Sequence, residues 1–137
     1  MLANQQQISI DYKPHIKVTV RADYTRLKQV LLNLLSNAVK YNKPNGSIII
    51  QEQITDTNHF RLNIQDTGLG IPEDQQKLLF TTFSRLGQEN SNIEGTGLGL
   101  SVTKNIVEAM SGTISFHSIE NQGSLFWIEF PITKSSL

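Results

Sequence analysis

Asn33, Asn37 and Lys40 stand at i, i+4 and i+7 in the run Asn33-Leu34-Leu35-Ser36-Asn37-Ala38-Val39-Lys40-Tyr41. On a helix turning by about 100° per residue they fall within roughly 60° of one another, beside the apolar stripe. Side-chain amide oxygens are hard ligands suited to Mg²⁺, which keeps several waters and is completed by substrate phosphates. Lys40 would add a point charge for those phosphates, and Tyr41 could pack on a base. The bland alternative is two solvated asparagines, although asparagine is a mediocre helix former and two at this spacing need a reason.

Asp66-Thr67-Gly68-Leu69-Gly70 follows the alternating stretch Leu62-Asn63-Ile64-Gln65. A carboxylate at a strand end can accept a hydrogen bond from an exocyclic amine, which favours adenine over guanine, where a carbonyl stands instead. The glycines let the backbone turn and come close to a ligand. An ordinary turn after a strand is the competing reading. Gly95-Thr96-Gly97-Leu98-Gly99-Leu100-Ser101 runs from a loop into a helix, where free amides reached through glycines make an anion site. It is not a dinucleotide fingerprint, because no strand directly precedes it and its glycines alternate, and no Gly-Lys-Ser/Thr follows to make a P-loop. Arg85, at the edge of a loop, could swing its guanidinium onto a terminal phosphate. Phe80 and Phe83 read at least in part as core aromatics. Together the three segments supply metal ligands, a base-reading carboxylate and a phosphate cradle, as a magnesium nucleotide would require.

The elements that must position these groups follow from periodicity. Ile8 to Asp11 and Ile16 to Val20 read as short strands around Lys13-Pro14. Asp23 is a plausible N-cap for a long helix with Leu27, Val30, Leu31, Leu34, Leu35 and Ala38 on its buried face. Asn42-Lys43-Pro44-Asn45-Gly46 stops that helix. Ser47 to Ile54 and His59 to Asp66 look like paired strands around Asp56-Thr57-Asn58. Pro72 could open a short helix through Phe80. Thr82 to Thr96 has no clean period and reads as a mobile loop. Leu98 to Met110 is a second amphipathic helix ended by Ser111-Gly112, and Thr113 to Ile119 with Ser124 to Phe130 form a closing hairpin through Asn121-Gln122-Gly123. Phe126 and Trp127 are expected in the core. The mixture predicts an α/β (α+β) two-layer sandwich.

Composition narrows the function classes. The 137 residues are the size of one domain, with 12 basic and 12 acidic side chains and a formal net charge of zero. That balance disfavours non-specific nucleic-acid binding and a charge-driven membrane role, so neither nucleic acid nor direct membrane contact is expected of this chain. No cysteine is present, which excludes disulfides and thiolate metal sites and fits the cytosol. No apolar run approaches the roughly 20 residues of a membrane span. Met1 to Ile10 lacks the pattern of a secretion signal. His15, His59 and His117 have no second metal-type ligand at a suggestive spacing and read as plain strand or turn residues.

At this point the residues resemble a known family. The segment from Arg26 to Tyr41 is very close to the asparagine box of the catalytic, ATP-binding domain of bacterial two-component sensor histidine kinases. These lie within the superfamily shared with DNA gyrase, the large heat-shock chaperone ATPases and mismatch-repair ATPases. Asp66 to Gly70 matches the first glycine box, Phe80 to Phe83 the phenylalanine box, Gly95 to Gly99 the second glycine box, and Gly123-Ser124-Leu125-Phe126 the closing strand. The resemblance implies a Bergerat-type fold, a mixed and mainly antiparallel sheet of about five strands on about three helices, with an ATP lid over about Thr82 to Thr96. It implies residues 1–15 as a linker end and first strand, 16–133 as the catalytic domain and 134–137 as a tail.

Carried over by position, the resemblance makes Asn37 the chief Mg²⁺ ligand with Asn33 close by, and gives Lys40 and Arg85 to the phosphates. Tyr41 would stack near adenine, Asp66 would read its amine, and Gly68 and Gly70 would shape the pocket floor. Gly97, Leu98, Gly99 and Leu100 would offer amides to phosphates. Ser124 would help hold a water beside Asp66, and Ile71, Phe83 and Thr96 complete the nucleotide contacts. Thr82 departs from the family, which usually carries proline there, and this bears on lid stiffness. The family transfers the γ-phosphoryl group of ATP to a histidine on a dimerisation domain, of the same or a neighbouring subunit, for relay to a response-regulator receiver domain. That histidine normally precedes an acidic residue. His15-Ile16, His59-Phe60 and His117-Ser118 lack this pattern, so the acceptor is expected elsewhere and the isolated chain should turn ATP over slowly, if at all. The implied setting is cytoplasmic, with a parent protein that can be anchored in the inner membrane. Two rivals share the fold: a serine/threonine kinase of the anti-sigma type, and a non-catalytic interaction module.

Overall fold

The structure, a computed structural model, describes residues 7–77, 79–80 and 96–133, without the side chains of residues 96–99. Residues 82–95 of the expected lid, with Phe83 and Arg85, lie outside the described residues. In chain order the elements are β1 (Ser9–Tyr12), β2 (Thr19–Val20), α1 (Tyr24–Lys40), β3 (Ser47–Ile54), β4 (His59–Asp66), α2 (Glu73–Gln76), α3 (Thr96–Ala109), β5 (Thr113–Ile119) and β6 (Gly123–Thr133). The strands form one six-stranded sheet in the order β1-β3-β4-β6-β2, with β5 also on β6. Only β1 on β3 is parallel; the other pairings are antiparallel, so the mixed, mainly antiparallel sheet expected from the sequence is the one observed.

Alternation along the strands decides what faces the helices. Register places Ile50, Ile64 and Phe126 side by side, and likewise Leu62, Ile128 and Ile114. These side chains join Val30, Leu34, Ala38, Val39 and Val107 from the helices in one core. Asp23 caps α1 as expected, its carboxylate accepting from the Arg26 amide at 3.0 Å. Phe80, Phe116 and Phe126 lie in a row with neighbouring centroids 5.6 Å apart, Phe80 edge-on to Phe116 and Phe116 stacked on Phe126.

Four expectations need correction. Trp127 lies on the opposite sheet face from Phe126, because neighbours in a strand point oppositely; the Arg61 guanidinium sits 5.0 Å over its ring. The second strand is only Thr19–Val20, since the amides of His15 and Ile16 donate to the Glu52 carboxylate instead of to a strand partner. β1 and β2 are consequently not neighbours but lie at different ends of the strand order. The helix after Pro72 is a single turn, Glu73–Gln76; beyond it Lys77, Leu79 and Phe80 are in turn geometry, with Leu79 buried. Finally, α3 starts two residues before the expected Leu98.

Candidate nucleotide site

The end of α1, the end of β4 and the start of β6 converge on one cavity of about 90 Å³. That enclosed space is small beside the ~300–1,000 Å³ of sites that swallow a whole small molecule, so it suits one flat part of a ligand with the remainder outside. From α1 come Leu34, Asn37, Ala38 and the cap residue Tyr41, and from β4 come Ile64 and Asp66. Gly70, Ile71, Pro72 and Gln75 form another wall, and Leu100, Ser124 and Phe126 complete it. The cavity therefore gathers Asn37, Tyr41, Asp66, Gly70, Ile71, Leu100 and Ser124 from the residues singled out in the sequence.

Asp66 is the carboxylate in this mostly apolar enclosure. It accepts from the Gly68 amide at 2.9 Å and from the Ser124 amide. Two donors do not replace the water that an ionised carboxylate loses here: burial pushes its pKa above the usual 3.8, with the two backbone hydrogen bonds pulling the other way. A carboxylate with acceptor capacity left and a cavity in front of it is suited to an amine donor.

The turn after Asp66 is held on both sides. Leu69 N donates to the Tyr41 carbonyl at 3.2 Å. A side chain at Gly68 would collide with that same carbonyl, and one at Gly70 with the Ile119 carbonyl; Gly70 also has φ +69°. On the β5–β6 side, Ser118 Oγ accepts from the Ile71 amide at 2.8 Å and lies 2.8 Å from Ser124 Oγ. Gln76 Nε2 donates to the carbonyls of Ile71 (2.8 Å) and Ser118 (3.0 Å). Ser118, which the sequence did not mark, thus fixes Ile71 and Ser124 as cavity walls.

The other site residues are placed differently. Asn33 does not line the cavity: its Nδ2 donates to Thr103 Oγ1 at 3.0 Å, bridging α1 to α3. Lys40 is half-buried in the last turn of α1, outside the lining. Gly68 lies beneath Asp66 rather than on the surface of the cavity. Thr96, Gly97, Leu98 and Gly99 form the first turn of α3, whose amides include those without an intrahelical carbonyl. Leu100 is buried and contributes its side chain to the cavity. Among the described residues no group of three or more His, Cys, Asp or Glu could hold a metal ion. A magnesium ion here would use amide oxygen and ligand phosphate, a donor set that Asn37 at the cavity edge fits.

Sequence reasoning missed Leu34, Ala38, Ile64, Pro72, Gln75 and Phe126 as lining residues. Strand alternation held the signal for two of them: Ile64 shares a face with Asp66, and Phe126 with Ser124. Helical spacing held it for Leu34 and Ala38, which flank Asn37 on the buried side. Gln75 carried none.

Comparison with known proteins identifies the family and the fold. Residues 22–134 match the family model described as histidine kinase-, DNA gyrase B-, and HSP90-like ATPase. The chain is 41% identical over 135 residues to the adaptive-response sensory kinase SasA of Synechococcus elongatus, an alignment covering 98% of this chain and 34% of that protein. It therefore spans about a third of the length of that relative. Full-length ShkA, solved in complex with AMPPNP, superposes with a TM-score of 0.80 at 29% identity, over 99% of this chain and 28% of that one. The catalytic domain of histidine kinase ThkA superposes at 0.76 with 33% identity, over 94% and 82%. ThkA has also been solved in complex with response regulator protein TrrA, where the match is 0.73 at 31% identity, over 96% and 36%.

Proposed function

The chain belongs to the histidine kinase-, DNA gyrase B- and HSP90-like ATPases, as the catalytic domain of a sensor histidine kinase, and from that premise we propose that it binds Mg-ATP and donates the γ-phosphoryl group to a histidine on a separate dimerisation domain. Convergence of Asp66, Asn37 and Tyr41 on one cavity carries this reading. In it, adenine enters the cavity, its exocyclic amine donates to Asp66, and Tyr41 packs on the ring. The phosphates leave toward Asn37, Lys40 and the first turn of α3. Asn33, Asn37 and Lys40 lie along one side of α1, so Asn33 stands one turn from the chief ligand.

Bound Mg²⁺ would neutralise charge on the β- and γ-phosphates. The protein's own contribution is to hold the nucleotide with its γ-phosphorus open to an incoming imidazole nitrogen. That nitrogen forms the new bond as the bond to the β–γ bridging oxygen breaks, and ADP leaves. Arg85 and the remaining lid residues belong to this stage. A response-regulator aspartate is the proposed next acceptor, a relay supported by the solved ThkA–TrrA pairing. No described helix is long and apolar enough to cross a membrane. We place the domain in the cytoplasm, the compartment that supplies the ATP it is proposed to bind.

Calorimetric titration with AMPPNP, with and without Mg²⁺, tests the reading. The wild-type chain should bind more tightly with Mg²⁺, and Asn37→Ala should bind equally with and without it. A folded wild-type chain that takes up no nucleotide would overturn the proposal.

A further inference from the structure

Asn42, just past the end of α1, is one of the few buried polar side chains of the described residues, with 8% exposure. Its Oδ1 accepts from the Lys43 amide at 2.9 Å and from Thr67 Oγ1 at 3.1 Å, and its Nδ2 donates to the Ser47 carbonyl at 3.0 Å. Thr67 Oγ1 in turn accepts from the Ser47 amide at 2.9 Å, and Thr67 N donates to the Ser47 carbonyl at 3.2 Å. Three chain segments thus meet on one carboxamide: the exit from α1, the start of β3, and the turn after Asp66. Space for it depends on Gly46, where a side chain would collide with Asn42 Oδ1.

The arrangement has a direction. Asn42 follows Tyr41, and Thr67 follows Asp66, so the Thr67–Asn42 hydrogen bond joins the immediate neighbours of two cavity residues. The Leu69 amide on the Tyr41 carbonyl makes a second tie between the same two segments. We propose that Asn42 is a positioning residue of the nucleotide site, acting through Thr67 to set the spacing between Asp66 and Tyr41. The inference rests on the function proposed above. Asn42 reaches the ligand only through its neighbours, so it has no contact of its own to lose. Its removal takes the acceptor from the half-buried Thr67 hydroxyl and one of two donors from the Ser47 carbonyl, and leaves the Asp66 turn freer to shift away from Tyr41.

The test is a double-mutant cycle on the intact chain, read by AMPPNP affinity with Mg²⁺ and by thermal melting without nucleotide. Asn42→Ala should weaken binding about tenfold at temperatures where the variant is fully folded. Thr67→Val should do the same, and Thr67→Ser, which keeps the hydroxyl, should bind within about twofold of wild type; this pair carries the test even if the alanine variant unfolds. Asp66→Asn should lose less affinity in the Asn42→Ala background than in the wild-type chain, because a displaced carboxylate has less to lose. Wild-type affinity in folded Asn42→Ala and in Thr67→Val, or strict additivity with Asp66→Asn, would overturn the inference and leave Asn42 a purely structural residue. Failure of the wild-type chain to bind AMPPNP would instead overturn the function on which it rests.

Discussion

Two carboxylates on the same side of the sheet have opposite surroundings. Glu52, on β3, accepts from Tyr12 Oη and the His15 amide at 2.8 Å and from the Ile16 amide at 3.0 Å. These donors, led by the His15 amide, hold its pKa below the ordinary 4.5 against the opposing effect of burial. Asp66, on β4, has two backbone donors and a cavity in front of it, and burial pushes its pKa up. The chain has used the charge of Glu52 to fasten the segment after β1 onto the sheet. It has left the charge of Asp66 under-compensated, a state that adds nothing to stability and is expected at a binding position.

The largest effect expected from this contrast concerns the base. A nucleotide with a carbonyl where adenine has its amine, such as GMPPNP, should bind about 100-fold more weakly than AMPPNP, since it sets acceptor against acceptor at Asp66. Competition calorimetry reads this directly, and equal affinity for the two would remove Asp66 from base recognition.

A smaller effect separates fastening from binding. Glu52→Gln keeps the shape but loses the charge, and should lower the melting temperature by roughly a few degrees while leaving AMPPNP affinity within about twofold. The sign with pH follows from the depressed pKa. Glu52 contributes stability above pH 4.5, and that contribution is lost as pH falls through the folded value. Melting temperatures of Glu52→Gln and wild type should therefore differ most above pH 4.5 and draw together as pH falls through the depressed folded pKa. Divergence confined to acid would contradict the assignment.

Much of this was legible in the sequence because it is periodic or local. The α1 stripe, the Asp23 cap, both hairpin turns and the Asp66 turn each rest on spacing within a few residues. The convergence of Asn37 and Tyr41 with Asp66, 25 positions beyond Tyr41, does not rest on spacing: it follows from taking the two motifs as parts of one nucleotide site, as the family resemblance implies. What stayed hidden depends on partners far along the chain. Glu52 takes amides from residues 36 and 37 positions earlier, which shortened β2. Ser118 acts on Ile71 from 47 positions away, and Asn42 on Thr67 from 25. Trp127 was misplaced for a different reason: both Phe126 and Trp127 are apolar, and only register shows which one faces the helices.

Asp66→Asn tests the central claim most directly, through AMPPNP calorimetry and thermal melting on the same samples. The amide keeps an oxygen for the Gly68 amide but removes the under-compensated charge. As pH rises through the interval between 3.8 and the raised native pKa, the native carboxylate costs stability that the amide does not. At neutral pH the variant should therefore melt no lower than wild type, and its AMPPNP affinity should fall by about 30-fold. A variant that melts well below wild type yet binds AMPPNP with unchanged affinity would show that Asp66 holds the fold together and leaves the nucleotide to other residues.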